Sequence, residues 1–203
     1  MKVAILGTGK FGRALAIRLL EAGDEVVIGS RDEERAREIA AEHGGRGERN
    51  EVAAASGDLI VLAVPAGVAV PTVVALRPVL SAPVLSVAAE IEFAAGTARP
   101  PVLPKSVAER ISEAVAVPVA AGLHTLAARR LARSRPEEDA FVCGDHHEAK
   151  ALALELAQRV VGGRALDAGP LQAARALEAV TAVLLNLNRD YKTHTGLRVT
   201  GLP

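Results

Sequence analysis

The chain begins with an apolar strand pattern that runs directly into a glycine-rich turn and then into a helix pattern. Residues 2–6 read KVAIL, residues 7–12 read GTGKFG, and apolar residues recur at helical spacing over residues 10–22. Gly23 is expected to end that helix. A strand, a glycine turn and a helix in this order predict a βαβ unit, and hence a parallel α/β sheet.

The glycines of the turn have the G-x-G-x-x-G spacing of dinucleotide sites. Gly7 permits the tight turn, Gly9 lets a pyrophosphate approach the backbone, and Gly12 allows the helix to pack close to the strand. The helix N-terminus then offers free N–H groups to the phosphates. A purely structural turn is the alternative, but the strand before and the helix after favour a dinucleotide site.

A second signal, about twenty residues past the turn, indicates which dinucleotide is bound. NAD sites usually carry an acid there, whereas this chain has Ser30 and Arg31, with Arg35 one helical turn later. A serine hydroxyl and an arginine can bind the 2′-phosphate of NADP, which an acid would repel. The alternative is that Ser30 caps the next helix with Glu33, and that Arg31 is a solvated surface residue. We predict NADP.

The rest of the chain continues the alternation of strand and helix patterns. Asp145 is expected to cap one of these helices, and Pro170 to begin the last long one. The pattern predicts a Rossmann-type doubly wound parallel sheet with a small C-terminal α/β extension. We divide it into an NADP-binding domain, 1–140, and a C-terminal region, 141–203. Further strands are predicted at residues 57–65, 82–90, 118–123 and 140–145.

Composition excludes several classes of function. Lys plus Arg and Asp plus Glu each total 24, so net charge argues against a nucleic-acid or anionic-membrane partner. The longest apolar region, residues 59–89, is divided by four prolines and contains Arg77, so we predict no transmembrane helix. The single cysteine, Cys143, excludes an intramolecular disulfide and a cysteine-based zinc site, and it suits a cytoplasmic protein. We expect no metal.

Two further candidates lie at the ends of predicted strands. Val64 and Pro65 end the third main strand, where the backbone should line the nicotinamide-ribose of a bound dinucleotide; a plain strand-ending proline is the alternative. His124 ends a later strand and opens a loop rich in arginine. It could be a general acid, a hydrogen-bond donor to a ring carbonyl, or a loop residue without a chemical role.

The short length of the chain bears on the reaction. Many NADP enzymes with this opening carry a large helical substrate domain, for which 203 residues leave no room. The substrate must lie on the nucleotide domain, or between it and the C-terminal residues. No acid–base pair stands out either. Hydride transfer between two stacked coenzymes needs neither, because the protein supplies only orientation and exclusion of water.

Several segments together are similar to one known family. The opening MKVAILGTGKFG, VVIGSR, VLAVP, LHT followed by AAR, VCGD and LDAGPL resemble the NADPH-dependent reductases of the deazaflavin coenzyme F420. These enzymes are also called F420-dependent NADP oxidoreductases, and the resemblance covers nearly the whole chain. It implies direct hydride transfer between C4 of NADP(H) and C5 of F420. It also implies a cytoplasmic homodimer that pairs through its C-terminal part.

The resemblance implies a role for each matching residue. The NADP 2′-phosphate end would be held by Thr8, Ser30, Arg31 and Arg35. The pyrophosphate turn would consist of Gly7, Gly9, Lys10, Phe11 and Gly12. The nicotinamide side would be touched by Val64 and Pro65, the deazaflavin ring by His124 and Leu126, and the anionic tail of F420 by the basic loop.

Two other functions fit the same residues. One is a small NADP-dependent imine or 3-hydroxy-acid reductase, which requires a general acid, with His124 as the only good candidate. The other is a non-catalytic NADP(H) sensor, which would bind the nucleotide without turnover.

Overall fold

Strands and helices alternate along residues 1–202, the part of the chain that this computed structural model describes. The first half contains β1 (Lys2–Leu6), α1 (Lys10–Glu21), β2 (Glu25–Ser30), α2 (Glu33–Ala41), β3 (Arg46–Arg49), α3 (Asn50–Ala54), β4 (Leu59–Leu62), α4 (Ala66–Leu76) and β5 (Val84–Ser86). The second half contains β6 (Glu92–Ala94), β7 (Thr97–Arg99), α5 (Val107–Ala114), β8 (Val119–Gly122), α6 (Ala128–Leu131), β9 (Ala140–Gly144), α7 (His147–Val160), β10 (Ala165–Asp167) and α8 (Ala174–Asp190), which a 3-10 turn at Leu171–Ala173 precedes.

Eight of the strands form one sheet, in the order β10-β9-β8-β5-β4-β1-β2-β3. The strands from β8 to β3 are parallel, which confirms the doubly wound α/β fold. The prediction of a parallel sheet is wrong at one edge, because β9 runs antiparallel to β8, and β10 runs parallel to β9. Only α6 lies between β8 and β9. An antiparallel neighbour is reached by such a return, whereas a parallel one requires a full crossover.

The hydrophobic core lies in two layers, one on each face of the sheet. Val3 and Ile5 of β1 face the layer formed with α1, α2 and α7. Ala4 and Leu6 face the layer formed with α3, α4, α5 and α8. All four side chains are fully buried. A strand buried on both faces reads as a continuous apolar run, which is why KVAIL identified β1 from sequence.

Helix ends differ in part from the sequence predictions. Gly23 follows α1 with φ +85°, as expected for a helix-ending glycine. Pro170 immediately precedes the 3-10 turn that leads into α8. The prediction that Asp145 caps a helix is wrong, because His146 occupies the N-cap of α7. The Asp145 carboxylate instead accepts the backbone N–H of Leu171 at 2.9 Å, which ties β9 to the start of the last helical segment.

A small antiparallel hairpin, β6–β7, was not predicted. Its turn places Ala95 and Gly96 at φ +50° and +75°, the left-handed region that such a two-residue turn requires. The hairpin is fixed to α8 by one side chain. Asn186 accepts the N–H of Ala98 at 2.8 Å and donates to its carbonyl at 2.8 Å, as a neighbouring strand would.

The predicted division of the chain at residue 140 falls inside the eight-stranded sheet. Residue 140 is the first residue of β9, and β9 pairs directly with β8 from the other side of the division. The two parts therefore share one sheet, and their separate roles stay a prediction. No helix within residues 1–202 is long and apolar enough to cross a membrane.

Candidate functional site

A cleft opens at the carboxyl end of β1, where the sheet order reverses. β1 lies between β2 and β4, and the helices that follow β1 and β4 pack on opposite faces. Ligands of open α/β sheets bind at this position. The cleft, here called the first cleft, encloses about 230 Å³. Its lining consists of Gly7, Thr8, Gly9, Gly29, Ser30, Arg31, Asn50, Ala63, Val64, Pro65, Val68 and Thr72.

The glycines of the first turn have the geometry that their spacing predicts. Gly7 has φ +127°, and a Cβ there would lie 2.2 Å from the Ala63 carbonyl oxygen. A Cβ on Gly12 would lie 2.4 Å from the Gly7 carbonyl oxygen, so helix and turn are in close contact. At Gly9, by contrast, no heavy atom of residues 1–202 other than those of Gly9 and its chain neighbours lies within 4 Å of that position. The backbone at Gly9 is therefore open to a pyrophosphate.

The N-terminus of α1 is open to a ligand as well. Its N-cap is Gly9, and no side chain in the described part of the protein caps it. The first N–H groups of a helix have no partner within the helix, and the helix dipole adds positive potential there. Gly9 and this helix end together fit an anionic group such as the phosphates of a dinucleotide.

Ser30 and Arg31 lie in the first cleft, opposite this helix end. The Ser30 hydroxyl accepts the backbone N–H of Asp32 at 3.1 Å, which leaves its own hydrogen for a ligand. Asp32 caps α2 by accepting the N–H of Arg35 at 3.1 Å, so the alternative in which Ser30 is the cap is wrong. Arg31 is exposed. The guanidinium of Arg35 pairs with Glu38 at 2.9 Å, and Arg35 is not among the residues that line the cleft.

Two polar residues of the cleft were not found by sequence reasoning. Asn50 begins α3, and its Oδ1 is buried with no hydrogen-bond partner among residues 1–202. Thr72 lies on α4 and donates to the Val68 carbonyl at 2.7 Å. Asn50 follows β3, an edge strand of sequence RGER that has no apolar pattern, so the sequence gives no signal for it.

A second cleft, of about 270 Å³, continues from the first. The two share Gly9 and the segment 63–65, so Val64 and Pro65 form the wall between them. The far side of the second cleft is the segment Val87–Ala89, which follows β5. Lys10 and Phe11 line it from the start of α1. Except for Lys10, this lining is mostly apolar, which suits an uncharged ring rather than a phosphate.

His124 and Leu126 follow β8, and both are buried, with 8% and 5% of their surface exposed. Burial lowers the pKa of His124 to about 4, and the nearby Ala88 backbone acts in the opposite direction. Neither ring nitrogen makes a hydrogen bond within the part of the chain described here. The imidazole is therefore neutral at pH 7. Ala88 lies beside it and also lines the second cleft, so this cleft reaches the neighbourhood of His124.

The arginines of the loop after His124 are partly used inside the protein. Arg135 donates to the Val161 carbonyl at 2.6 Å and to the Gln158 carbonyl at 3.0 Å, at the C-terminus of α7. Arg130 donates to the His194 carbonyl at 3.2 Å. These two cations therefore stabilise the loop itself. A role of the loop in binding the tail of F420 stays a prediction.

Comparison with known proteins agrees with this geometry. Residues 2–90 match the sequence model of a family described as NADP oxidoreductase, coenzyme F420-dependent. An F420-dependent NADP reductase from Methanothermobacter thermautotrophicus is 36% identical, over 100% of this chain and 96% of that protein. The F420-dependent NADP reductase from Methanocaldococcus jannaschii is 34% identical, over 100% and 99%.

A solved structure extends the comparison to the fold. The crystal structure of a protein proposed to be an F420-dependent NADP reductase, from Arthrobacter sp. FB24, superimposes with a TM-score of 0.87. That protein is 25% identical to this chain, and the match covers 99% of this chain and 100% of the other. The resemblance seen in the sequence is confirmed, and the chain belongs to the family of F420-dependent NADP reductases.

Proposed function

We propose that this protein is an NADPH:F420 oxidoreductase. The observation that carries the proposal is the pair of continuous clefts that share Gly9 and the segment 63–65. One cleft offers an open backbone, a helix N-terminus and Arg31, and the other is a mostly apolar slot. NADP has this same division between an anionic end and a flat uncharged ring. When both coenzymes are bound, a hydride passes directly between nicotinamide C4 and deazaflavin C5.

At the anionic end of NADP, the protein binds the phosphates and orients the coenzyme. The open backbone at Gly9 and the N-terminus of α1 bind the pyrophosphate. The Ser30 hydroxyl donates to the 2′-phosphate and Arg31 pairs with it. Thr8 lies between these groups along the wall of the cleft. Binding energy at this end positions the nicotinamide over the second cleft, at a distance from the reacting atoms.

At the ring end, the protein excludes water and moves no proton. Val64, Pro65 and Val87–Ala89 form apolar walls on which flat rings can stack. His124 and Leu126 border the deazaflavin side. Because His124 is neutral at pH 7, it serves as a hydrogen-bonding and packing residue at the ring. The protein's part in the reaction is thus alignment of the two rings.

The neutral state of His124 also bears on the two alternatives. Reduction of an imine or formation of a 3-hydroxy acid needs a proton donor at neutral pH, and a histidine with a pKa of about 4 is a poor one. A sensor would bind NADPH at the same clefts without turnover. The second alternative is therefore distinguished by an activity measurement alone.

The experiment is to mix the protein with NADPH and oxidised F420 and to follow the visible absorbance of the deazaflavin, with NADH in a parallel cell. We expect loss of absorbance with NADPH and much slower loss with NADH. Absence of reaction in a protein that still binds NADPH would contradict the proposed reaction and favour the other two functions.

We also propose that the protein is a homodimer that pairs through α8. Val183, Leu187 and Tyr191 lie at helical spacing on this helix and are exposed, Tyr191 by 74%. Phe93, on the hairpin fixed to α8, is also 74% exposed. An exposed apolar stripe of this kind supports association. We expect Val183→Glu to convert a dimer to a monomer in analytical ultracentrifugation, and a wild-type monomer would contradict the proposal.

The cytoplasmic location stays part of the proposal. It rests on the single, buried Cys143 and on the use of diffusible nucleotide coenzymes. Fractionation of cells that produce the protein, followed by detection in each fraction, tests it.

A further inference from the structure

Helix α8 presents two polar side chains, one helical turn apart, to α5 and to the loop after β8. Glu178 accepts the backbone N–H of Val107, the first residue of α5, at 2.9 Å. Thr181 donates its hydroxyl to the His124 carbonyl at 3.0 Å. Glu178 is only 4% exposed, although it lies on the helix face that otherwise contributes leucine and alanine to the core.

A buried carboxylate at such a position lowers the stability of the fold unless its hydrogen bonds fix neighbouring segments. Removing a carboxylate from water costs several kcal/mol, and an apolar residue is often a neutral or stabilising replacement even for a buried ion pair. The groups around Glu178 show what it holds. From α5, it is faced by the N–H of Val107 and by the guanidinium of Arg110. From the segment after β5, it is faced by the N–H and the carboxylate of Glu90.

Glu90 is held to α5 by its side chain, which pairs with Arg110 of that helix. Glu178 holds the start of the same helix through the N–H of Val107. Arg110 in turn donates to the Ser106 carbonyl at 3.4 Å, next to Val107. The three residues that precede Glu90 are Val87–Ala89, the far wall of the second cleft. Fixing Glu90 therefore fixes the end of that wall.

We propose that Glu178 is a positioning residue. It fixes the start of α5 and, through the pair of Arg110 with Glu90, the segment Val87–Glu90, and so shapes the nicotinamide end of the second cleft for hydride transfer. The role rests on the proposed function, since it is the nicotinamide that the wall would contact. From the same helix, Thr181 holds the backbone of His124. Glu178 touches neither coenzyme and acts through the wall alone.

The ionisation of Glu178 gives this role a signature. Burial raises the pKa of its carboxyl to about 7, while the N–H groups of Val107 and Glu90 and the charge of Arg110 limit that rise. Both protonation states are therefore populated near neutral pH. A carboxylate binds N–H groups about twice as strongly as a neutral acid does. We therefore expect the wall to be held best above neutral pH.

The test compares wild type with Glu178→Gln, which keeps the shape and loses the charge, and with a control, Glu113→Gln. Glu113 lies on the exposed side of α5 and pairs with Lys105. With NADPH and F420, we expect kcat of wild type and control to rise about three- to tenfold as pH passes through 7, and Glu178→Gln to lack this rise. The KM for NADPH should change less than about twofold, because its other end is held elsewhere. Coincident wild-type and Glu178→Gln profiles overturn the proposal.

A second readout does not depend on turnover. The fluorescence of bound NADPH reports the surroundings of the nicotinamide ring, and we expect a step near pH 7 in wild type and control that Glu178→Gln lacks. If this fluorescence step is found while neither wild type nor any variant reduces F420, the proposed reaction is contradicted and the positioning role is supported. If F420 is reduced but neither kcat nor the fluorescence shows a step near pH 7, the positioning role is contradicted and the reaction is supported.

A measurement on the wild-type protein covers the case in which the variant does not fold. The ¹³C-labelled carboxyl of Glu178 and the backbone amides of Val87–Glu90 can be titrated together by NMR in the presence of NADP⁺. We expect both to change at one midpoint near pH 7, because the ionised carboxylate holds the wall. Amides that do not follow the carboxyl overturn the proposal.

Discussion

Arg31 provides the most direct test of the nucleotide preference, through the substitution Arg31→Glu. Arg31 is exposed at the first cleft, next to Ser30 at the end of β2. The variant replaces the cation that we propose binds the 2′-phosphate by an anion at the same place. We expect the preference to move from NADPH towards NADH, because the acid repels a phosphate and can accept a ribose hydroxyl.

The size of the change follows from the exposure of the site. Two unit charges about 4 Å apart interact by about 1 kcal/mol in water and by about 4 kcal/mol at an effective dielectric constant near 20. An exposed arginine lies towards the lower value. Replacing an attractive charge by a repulsive one doubles this interaction energy. The ratio of kcat/KM for NADPH to kcat/KM for NADH should therefore change by about 2–3 kcal/mol, or about 30- to 150-fold. The change should shrink with added salt.

The assay measures kcat/KM for NADPH and NADH in wild type and in three variants with the same charge reversal. Arg37→Glu is the control, because Arg37 is exposed on α2 and pairs with Glu33. Arg35→Glu tests the role that family resemblance implies for Arg35. An unchanged ratio in Arg31→Glu, or an equal change in Arg37→Glu, would refute the assignment of Arg31 to the 2′-phosphate.

Three further predictions concern the turn, the ring pocket and the fold. Gly7→Ala should lower the free energy of unfolding by about 3 kcal/mol or more, because φ is +127° and the new Cβ would meet backbone atoms. Gly9→Ala should fold normally and bind NADPH more weakly, so thermal melts and NADPH titrations separate the two variants. His124→Ala should lower kcat/KM for F420 about tenfold, mainly through a higher KM for F420, and equally from about pH 6 to 8; loss of all turnover would indicate a general acid. Asp139 is buried and accepts a hydrogen bond from Arg164 at 2.8 Å, which holds the pKa of its carboxyl well below the ordinary value. Its contribution to the free energy of unfolding is therefore complete above the ordinary pKa and is lost as pH falls through the lowered pKa. Asp139→Asn should therefore unfold about 2–4 kcal/mol more easily in urea at pH 7, with the difference shrinking in acid.

The first part of the fold and the nucleotide site could be predicted because their signals are local. β1, the glycine turn, α1 and β2 are adjacent in sequence, and each has a pattern that only one backbone conformation satisfies. The need for Gly12 is explained by its contact with Gly7 inside this unit, whereas a Cβ on Gly7 would meet Ala63 and Val64 from outside it. The position of Ser30 and Arg31 in the cleft follows from the pairing of β2 with β1, which the βαβ unit itself dictates.

The parts that could not be predicted depend on contacts that are distant in sequence, or on strands without an apolar pattern. β3 has the sequence RGER and is half exposed at the edge of the sheet, so neither it nor Asn50 could be found. The direction of β9 depends on how the loop returns, and its apolar run reads the same in either direction. Asp145 was misassigned because its partner, the N–H of Leu171, lies 26 residues further along the chain.

The last helix connects segments that are far apart in the sequence. Its sequence predicts an apolar face, but not that Glu178 and Thr181 lie on it to reach α5 and the loop of His124. Asn186, two turns further on, fixes the hairpin through Ala98. One helix thus holds three segments that lie between β5 and α6. Because each contact ends on a backbone group, α8 fixes the path of the backbone in all three segments.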